Sequence, residues 1–185
     1  MRFQNLVFIT GNEHKAAQLA AWLGLPIEHQ KLDLEEVQSL DVREIAERKA
    51  RAAYKVMQRP VLVEDCSLIF TALGQLPGPL VKWFEKGTGL EGMCRMLDGF
   101  SDRSAVAQIF YVLFDGTTPH FFEGVMRGTV PEHPGENQRG FGFDRIFVNE
   151  GQERPRSELD EATYAALSYR KQAQEKLKAF LTAND

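Results

Sequence analysis

The sequence is poor in cysteine. It has two, Cys66 and Cys94, and their spacing builds neither a disulfide framework nor a zinc site. A reducing cytoplasm is the simplest compartment for such a chain. The four histidines, at positions 14, 29, 120 and 133, show no metal-ligand spacing either. No run approaches the ~18 apolar residues needed to cross a bilayer, so no membrane partner is expected. The opening stretch from Met1 to Ile9 is too short an apolar segment for a secretory signal and lacks a small-residue cleavage site. A strong excess of either charge is absent as well: 22 Lys and Arg face 26 Asp and Glu, for a formal net charge of −4. That balance argues against broad electrostatic binding to nucleic acid while leaving room for a local basic pocket. Internal repeats, low-complexity tracts and linkers are also missing. What is present is 43% hydrophobic residues over 185 positions. This is a globular composition, long enough to bury a real core in a single domain spanning residues 1–185.

Residues 3–9 read as a strand, stopped by Thr10-Gly11-Asn12. Ala16, Leu19, Ala20 and Leu23 follow at helical spacing, with Gly24 placed as a C-cap. Residues 25–31 suit a second short strand. Asp41 and Glu44 match a capping box. The helix behind them is expected to bury Ile45, the stem of Lys49, Ala52, Ala53 and Val56 before Arg59-Pro60 ends it. Val61-Leu62-Val63 is the unbroken apolar run of a strand covered on both faces. Strand, helix, strand, helix, strand is the grammar of an α/β fold. Beyond it, Leu76-Pro77-Gly78-Pro79 reads as a turn or loop, followed by short helices at 79–86 and 89–97. Two long strands, 105–114 and 120–130, form a hairpin through the loop from Asp115 to Pro119. Residues 140–148 read as a Gly/Phe-rich strand. The C-terminal helix puts Tyr169, Ala173, Leu177 and Leu181 on its inner face and Lys171, Lys176 and Lys178 on its wet side. The expected architecture is α/β: a central mixed, twisted sheet flanked by helices, with an added antiparallel part and a cleft between two lobes.

Several groups of residues carry chemical potential. Thr10-Gly11-Asn12-Glu13-His14-Lys15 joins a strand to a helix, where backbone N–H groups and the positive helix end meet an anion. The same residues also make an ordinary strand–helix turn capped by Asn12. Glu64-Asp65 ends the apolar strand where α/β sheets place ligand sites. Successive strand residues point to opposite faces, so the two carboxylates need not serve one metal. Carboxylates with phosphate oxygens and water suit Mg²⁺, and an Asp there can deprotonate water; a capping role is the alternative. Asp33, Glu35 and Glu36 form a second acidic group, read mostly as a solvated loop. The glycines of Gly140-Phe141-Gly142-Phe143-Asp144 admit close backbone approach and its rings suit stacking on a base, or the segment is a core strand with bulges. Arg170, in Ser168-Tyr169-Arg170, suits a base carbonyl or a phosphate, or lies on the surface. Lys82, beside Trp83 and Phe84, is a phosphate ligand or an exposed lysine. Cys66 follows the acidic pair with no histidine placed to activate it, and reads as a partly buried thiol.

The order of these pieces is more specific than any one of them. Thr-Gly-Asn-x-x-Lys at 10–15, Val-Glu-Asp at 63–65, Leu-Pro-Gly-Pro at 76–79, Lys-Trp-Phe at 82–84, Phe-Gly-Phe-Asp at 141–144 and Ser-x-Arg at 168–170 together resemble the inosine triphosphate pyrophosphatase family. Its members are house-cleaning enzymes that remove aberrant purine nucleoside triphosphates such as ITP, dITP and XTP. The resemblance spans essentially the whole chain. It implies an elongated α/β homodimer and a Mg²⁺-dependent hydrolysis of nucleoside triphosphate to monophosphate and pyrophosphate. It further implies that Thr10, Asn12 and Lys15 hold the triphosphate, with Gly11, Glu13 and His14 in the same loop and Cys66 and Lys82 nearby. Asp65 becomes the general base or a metal-linked carboxylate, Lys15 joins it in catalysis, and Glu36 is the other metal carboxylate. Residues 141–144, from Phe141 through Gly142 and Phe143 to Asp144, line the base pocket with Tyr164, Ser168, Tyr169 and Arg170.

Three places depart from the family pattern. Tyr169 stands where the family has His, Tyr164-Ala165 where it has Lys-Asn, and Arg145 where it has Pro. The first two fall in the base-recognition half. Pyrophosphohydrolysis is therefore expected to hold while base selectivity weakens or changes. The alternatives are a related pyrophosphatase with another base preference, or a nucleotide-binding module without catalysis; the retained Glu36 and Asp65 argue against the latter.

Overall fold

The structure is a computed structural model that describes residues 3, 5–136 and 142–184. Strand β1 (Val7–Ile9) leads into helix α1 (Glu13–Leu23), strand β2 (Glu28–Gln30), helix α2 (Val42–Met57) and strand β3 (Val61–Phe70). Then come β4 (Pro77–Gly78), α3 (Val81–Arg95), β5 (Ser104–Phe114), β6 (Pro119–Thr129), β7 (Val148–Asn149), α4 (Glu161–Ala166) and α5 (Tyr169–Ala183). The hydrogen-bonded strand order is β2-β1-β3-β5-β6-β7, with β4 on β3. Pairing is parallel for β1 with β2 and β3, and antiparallel for β3 with β4 and for β6 with β7. The sheet is mixed and the fold α/β, as expected.

The chain divides into two compact units. The first holds Met1–Asp65, Ile109–Gly124 and Arg170–Asp185; the second holds Cys66–Gln108 and Val125–Tyr169. The long strands β3, β5 and β6 each contribute residues to both.

In the first unit, α1 opens on Asn12, whose side chain accepts the Lys15 N–H, and closes on Gly24 at φ 73°, a left-handed position that suits glycine. Helix α2 has a relayed version of the capping box. Asp41 caps the N–H groups of Arg43 and Glu44. The Asp41 N–H donates to the Ser39 hydroxyl at 3.1 Å, and that hydroxyl donates to Glu44 at 2.8 Å. The buried face of α2 is Val42, Ile45, Ala46, Ala50 and Ala53. Its small residues let the helix lie close on Val7, Ile9, Val61, Val63, Phe110, Val112 and Phe114. This corrects the expected face. Ala52 lies beside the stripe and is only half-buried. Val56 sits in the last turn, in phase with Ala53 but 60% exposed. The inner face of α5 is as expected, with Tyr169, Ala173, Leu177 and Leu181 all buried.

In the second unit, Leu68 pairs with Gly78 and Ile69 with Pro77, so part of the expected loop at 76–79 is a short strand. The two short helices expected near 79–97 are α3, broken at Gly89 (φ 69°, ψ 170°). Gly128 pairs with Asn149, and a Cβ there would lie 2.0 Å from the Val148 carbonyl oxygen, so only glycine fits this close approach. The strand expected over 140–148 is not present in its described part: Gly142–Ile146 is a 3₁₀ turn and only Val148–Asn149 is strand. Gly142 at φ 58° breaks any extended run. Arg145 closes the turn onto Gly135, accepting that residue's N–H at 2.8 Å and donating its Nε to that residue's carbonyl at 2.7 Å.

Candidate functional site

Two clusters bring together many of the expected site residues, and each lies within one unit. The cluster of the first unit starts at the loop from β1 to α1. The Thr10 hydroxyl accepts the Asn12 N–H at 3.1 Å, and the Asn12 side-chain oxygen accepts the Lys15 N–H at 3.1 Å. These bonds fix the turn and leave Lys15 reaching outward from the first turn of α1. Its ammonium donates to Glu64 Oε1 at 2.8 Å. Gly11 on this loop and Glu13 and His14 in the first turn of α1 are exposed.

Alternation along β3 sends Glu64 and Asp65 to different partners. The Glu64 side chain is 6% exposed. Its Oε2 takes the Tyr111 hydroxyl at 2.7 Å and the Arg170 guanidinium, and Gln174 donates to the same Tyr111 oxygen at 3.2 Å. Burial alone would raise the Glu64 carboxyl, but the Arg170 and Lys15 cations outweigh it and hold its pKa at about 2. Burial and the Glu64 charge together push the Tyr111 phenol well above its ordinary value. Asp65 accepts from the Lys49 ammonium at 3.2 Å, and Glu36 stands 3.5 Å from the same nitrogen. Burial pulls the Lys49 pKa down, yet Asp65 and Glu36 overcome that and leave it above the usual lysine value. Two carboxylates from separate segments thus converge on one cation.

In the second unit the centre is Asp144, buried in the 3₁₀ turn. It accepts from Arg156 Nε at 3.0 Å and from the Tyr164 hydroxyl at 2.8 Å. Arg156 is 1% exposed. Its Nη1 donates to Asn149 Oδ1 at 2.9 Å and to the Leu167 carbonyl at 3.3 Å, and its guanidinium carbon lies 4.4 Å from the Tyr164 ring centre. Burial, and then Asp144, raise the Tyr164 phenol. Phe143 is buried with its ring centre 6.5 Å from those of Phe147 and Tyr169. Ser168 is half-buried at the end of α4, Gly142 and Lys82 are exposed, and Cys66 is half-buried. Phe141 lies outside the described residues.

Of the expected residues, the first unit ties Thr10 and Asn12 to the Lys15 turn, Lys15 and Arg170 to Glu64, and Glu36 and Asp65 to Lys49. The second gathers Phe143, Asp144, Tyr164 and Tyr169. Arg170 belongs to the Lys15 group, whereas its neighbours Ser168 and Tyr169 belong to the second unit. Sequence reasoning left out Lys49, Tyr111 and Arg156 as site residues, and it named Glu64 beside Asp65 without the partners that the structure gives it. Lys49 carried a signal, being a cation in phase with the buried stripe of α2. Arg156 carried none, because a loop arginine reads as exposed.

A sequence profile of the Ham1 family matches residues 6–180. The inosine triphosphate pyrophosphatase of Yarrowia lipolytica (strain CLIB 122 / E 150) is 40% identical over 182 residues, covering 96% of this chain and 95% of that protein. The inosine triphosphate pyrophosphatase of Schizosaccharomyces pombe (strain 972 / ATCC 24843) is 37% identical, with coverage of 96% and 95%. Among solved structures, a HAM1 protein from Coxiella burnetii is similar with a TM-score of 0.85 and 30% identity, covering 96% of this chain and 98% of that one.

Proposed function

The chain belongs to the Ham1 family, and on that premise we propose that it hydrolyses purine nucleoside triphosphates of the ITP, dITP and XTP type to the monophosphate and pyrophosphate. The observation that carries this is in the first unit: Glu36 and Asp65 converge on the Lys49 ammonium, while Lys15 stands at the α1 N-terminus. A helix N-terminus with an added lysine suits a polyphosphate. Among the described residues no three His, Cys, Asp or Glu side chains form a metal cluster. Two carboxylates that already share one cation nevertheless fit Mg²⁺, which commonly takes one or two carboxylates and completes its octahedron with phosphate oxygens and water. Glu36 and Asp65 would hold it, and when bound it would offset charge on the phosphate oxygens.

In this mechanism Thr10, Asn12 and the loop N–H groups orient the triphosphate. Asp65 accepts the proton of a water whose oxygen attacks the α-phosphorus. The bond from that phosphorus to the bridging oxygen breaks, and the electron pair leaves with pyrophosphate. Lys15 faces the charge that grows on this leaving group, which is where a fixed cation lowers the barrier. Residues of the second unit, Phe143, Asp144, Tyr164, Ser168 and Tyr169, together with Arg170, are the proposed base readers. A changed base preference has its own supporting observation: Tyr164, standing where the family has Lys, gives its hydroxyl to Asp144. The resemblance carries a homodimer as the assembly, and two cysteines that form no disulfide suit a cytoplasmic location.

Hydrolysis of ITP with Mg²⁺ in ¹⁸O-labelled water tests the site of attack. Attack at the α-phosphorus puts the label in inosine monophosphate and leaves the pyrophosphate unlabelled. Labelled pyrophosphate, or release of orthophosphate as the first product, would overturn the assignment.

A further inference from the structure

Glu64 belongs to neither the metal pair nor the phosphate loop, yet it is a buried carboxylate bonded through both of its oxygens. Both of its oxygens are occupied, Oε1 by Lys15 and Oε2 by Tyr111 and Arg170. Its partners arrive from three elements: the first turn of α1, the middle of β5 and the first turn of α5. Gln174, one turn beyond Arg170, donates to the Tyr111 hydroxyl and completes the network. Lys and Arg side chains are long and rotamer-rich, and ordering them at the moment of binding costs free energy. Here one buried carboxylate orders both in advance. It also leaves the two cations with one net positive charge in place of two, which tempers their pull on any polyanion.

We propose that Glu64 is a positioning residue that aims Lys15 at the phosphates and Arg170 at the base together, and holds down the affinity of Lys15 for the pyrophosphate product. The proposal rests on the triphosphate reading of the same site. Its signature is a split that a merely structural role does not produce. Removing the charge while keeping the shape loosens the aim, which slows turnover. It also frees cationic charge, which tightens pyrophosphate binding.

The test uses the full chain, with turnover of ITP measured beside calorimetric binding of inorganic pyrophosphate. Glu64→Gln is expected to lower kcat tenfold or more while pyrophosphate binds several-fold tighter. Glu64→Asp keeps the charge but withdraws the carboxylate by one methylene; it is expected to lower kcat with pyrophosphate affinity no tighter than wild type. Wild-type kcat in either variant, or weaker pyrophosphate binding in Glu64→Gln, overturns the proposal. Should Glu64→Gln fail to fold, the kcat of Glu64→Asp decides it. Absence of any triphosphate hydrolysis by the wild type would instead sink the functional reading, while the pyrophosphate measurement on the two variants would still judge the charge argument.

Discussion

Asp65→Asn is expected to reduce pyrophosphate release by ~10²–10⁴-fold, the usual cost of losing a positioned base, while the chain stays folded. Asparagine matches aspartate in shape, so the end of β3 keeps its packing. What is lost is the negative charge that accepts a proton from water and that, with Glu36, would hold the metal. Lys49 retains Glu36 at 3.5 Å, and Asp65 is 19% exposed, so water can reach the group left behind. The penalty on stability is therefore modest, because a partly exposed ion pair contributes little. Steady-state turnover together with a thermal melt separates the two effects. A variant that retains more than a small fraction of wild-type turnover would show that Asp65 is neither base nor essential metal ligand.

The largest effect on stability is expected at Arg156. Its guanidinium is buried against Asp144, Asn149, the Leu167 carbonyl and the Tyr164 ring. Arg156→Met keeps much of the volume and removes the charge, leaving Asp144 buried without its guanidinium. Breaking a buried pair from one side typically costs ~3–5 kcal/mol. For a chain of this size that is a fall in melting temperature of roughly 10 °C. Arg156→Met combined with Asp144→Leu is expected to recover much of the loss, because an apolar replacement of a buried pair removes both desolvated charges. Thermal unfolding of the two single variants and the double variant completes the cycle. An Arg156→Met chain that melts with the wild type would contradict the account of this cluster.

Much of the fold was legible because its signals are local. The caps at Asn12, Gly24 and Asp41, the run Val61-Leu62-Val63 and the spacing of Tyr169, Ala173, Leu177 and Leu181 all encode their elements within a few residues. The turn at 142–146 was not legible. Its glycine–aromatic pattern is compatible with a bulged strand, and what decides it is the left-handed Gly142 and the bonds of Arg145 back to Gly135, ten residues away. Site residues divide along the same line. Lys15 is readable from its loop, and Glu36 and Asp65 from their place in the family order. The pairing of Glu64 with Arg170 crosses 106 residues of sequence, and nothing near either residue encodes it. Asp144 and Arg156 are twelve residues apart, but their pairing requires a loop arginine to be drawn inside, against its ordinary exposure.

The most direct test of the central claim is pyrophosphate release measured as kcat/KM with Mg²⁺ across ITP, XTP, dITP and the four common ribonucleoside triphosphates. A site that bonds a 6-oxo purine rejects the wrong base by leaving buried polar groups unpaired. The three 6-oxo substrates named first are expected to lead and ATP to trail, by a smaller margin than a pocket with Lys at 164 and His at 169 would give. Equal rates on ATP and ITP would show that the chain does not select 6-oxo purines. No pyrophosphate from any of the seven would contradict the account altogether.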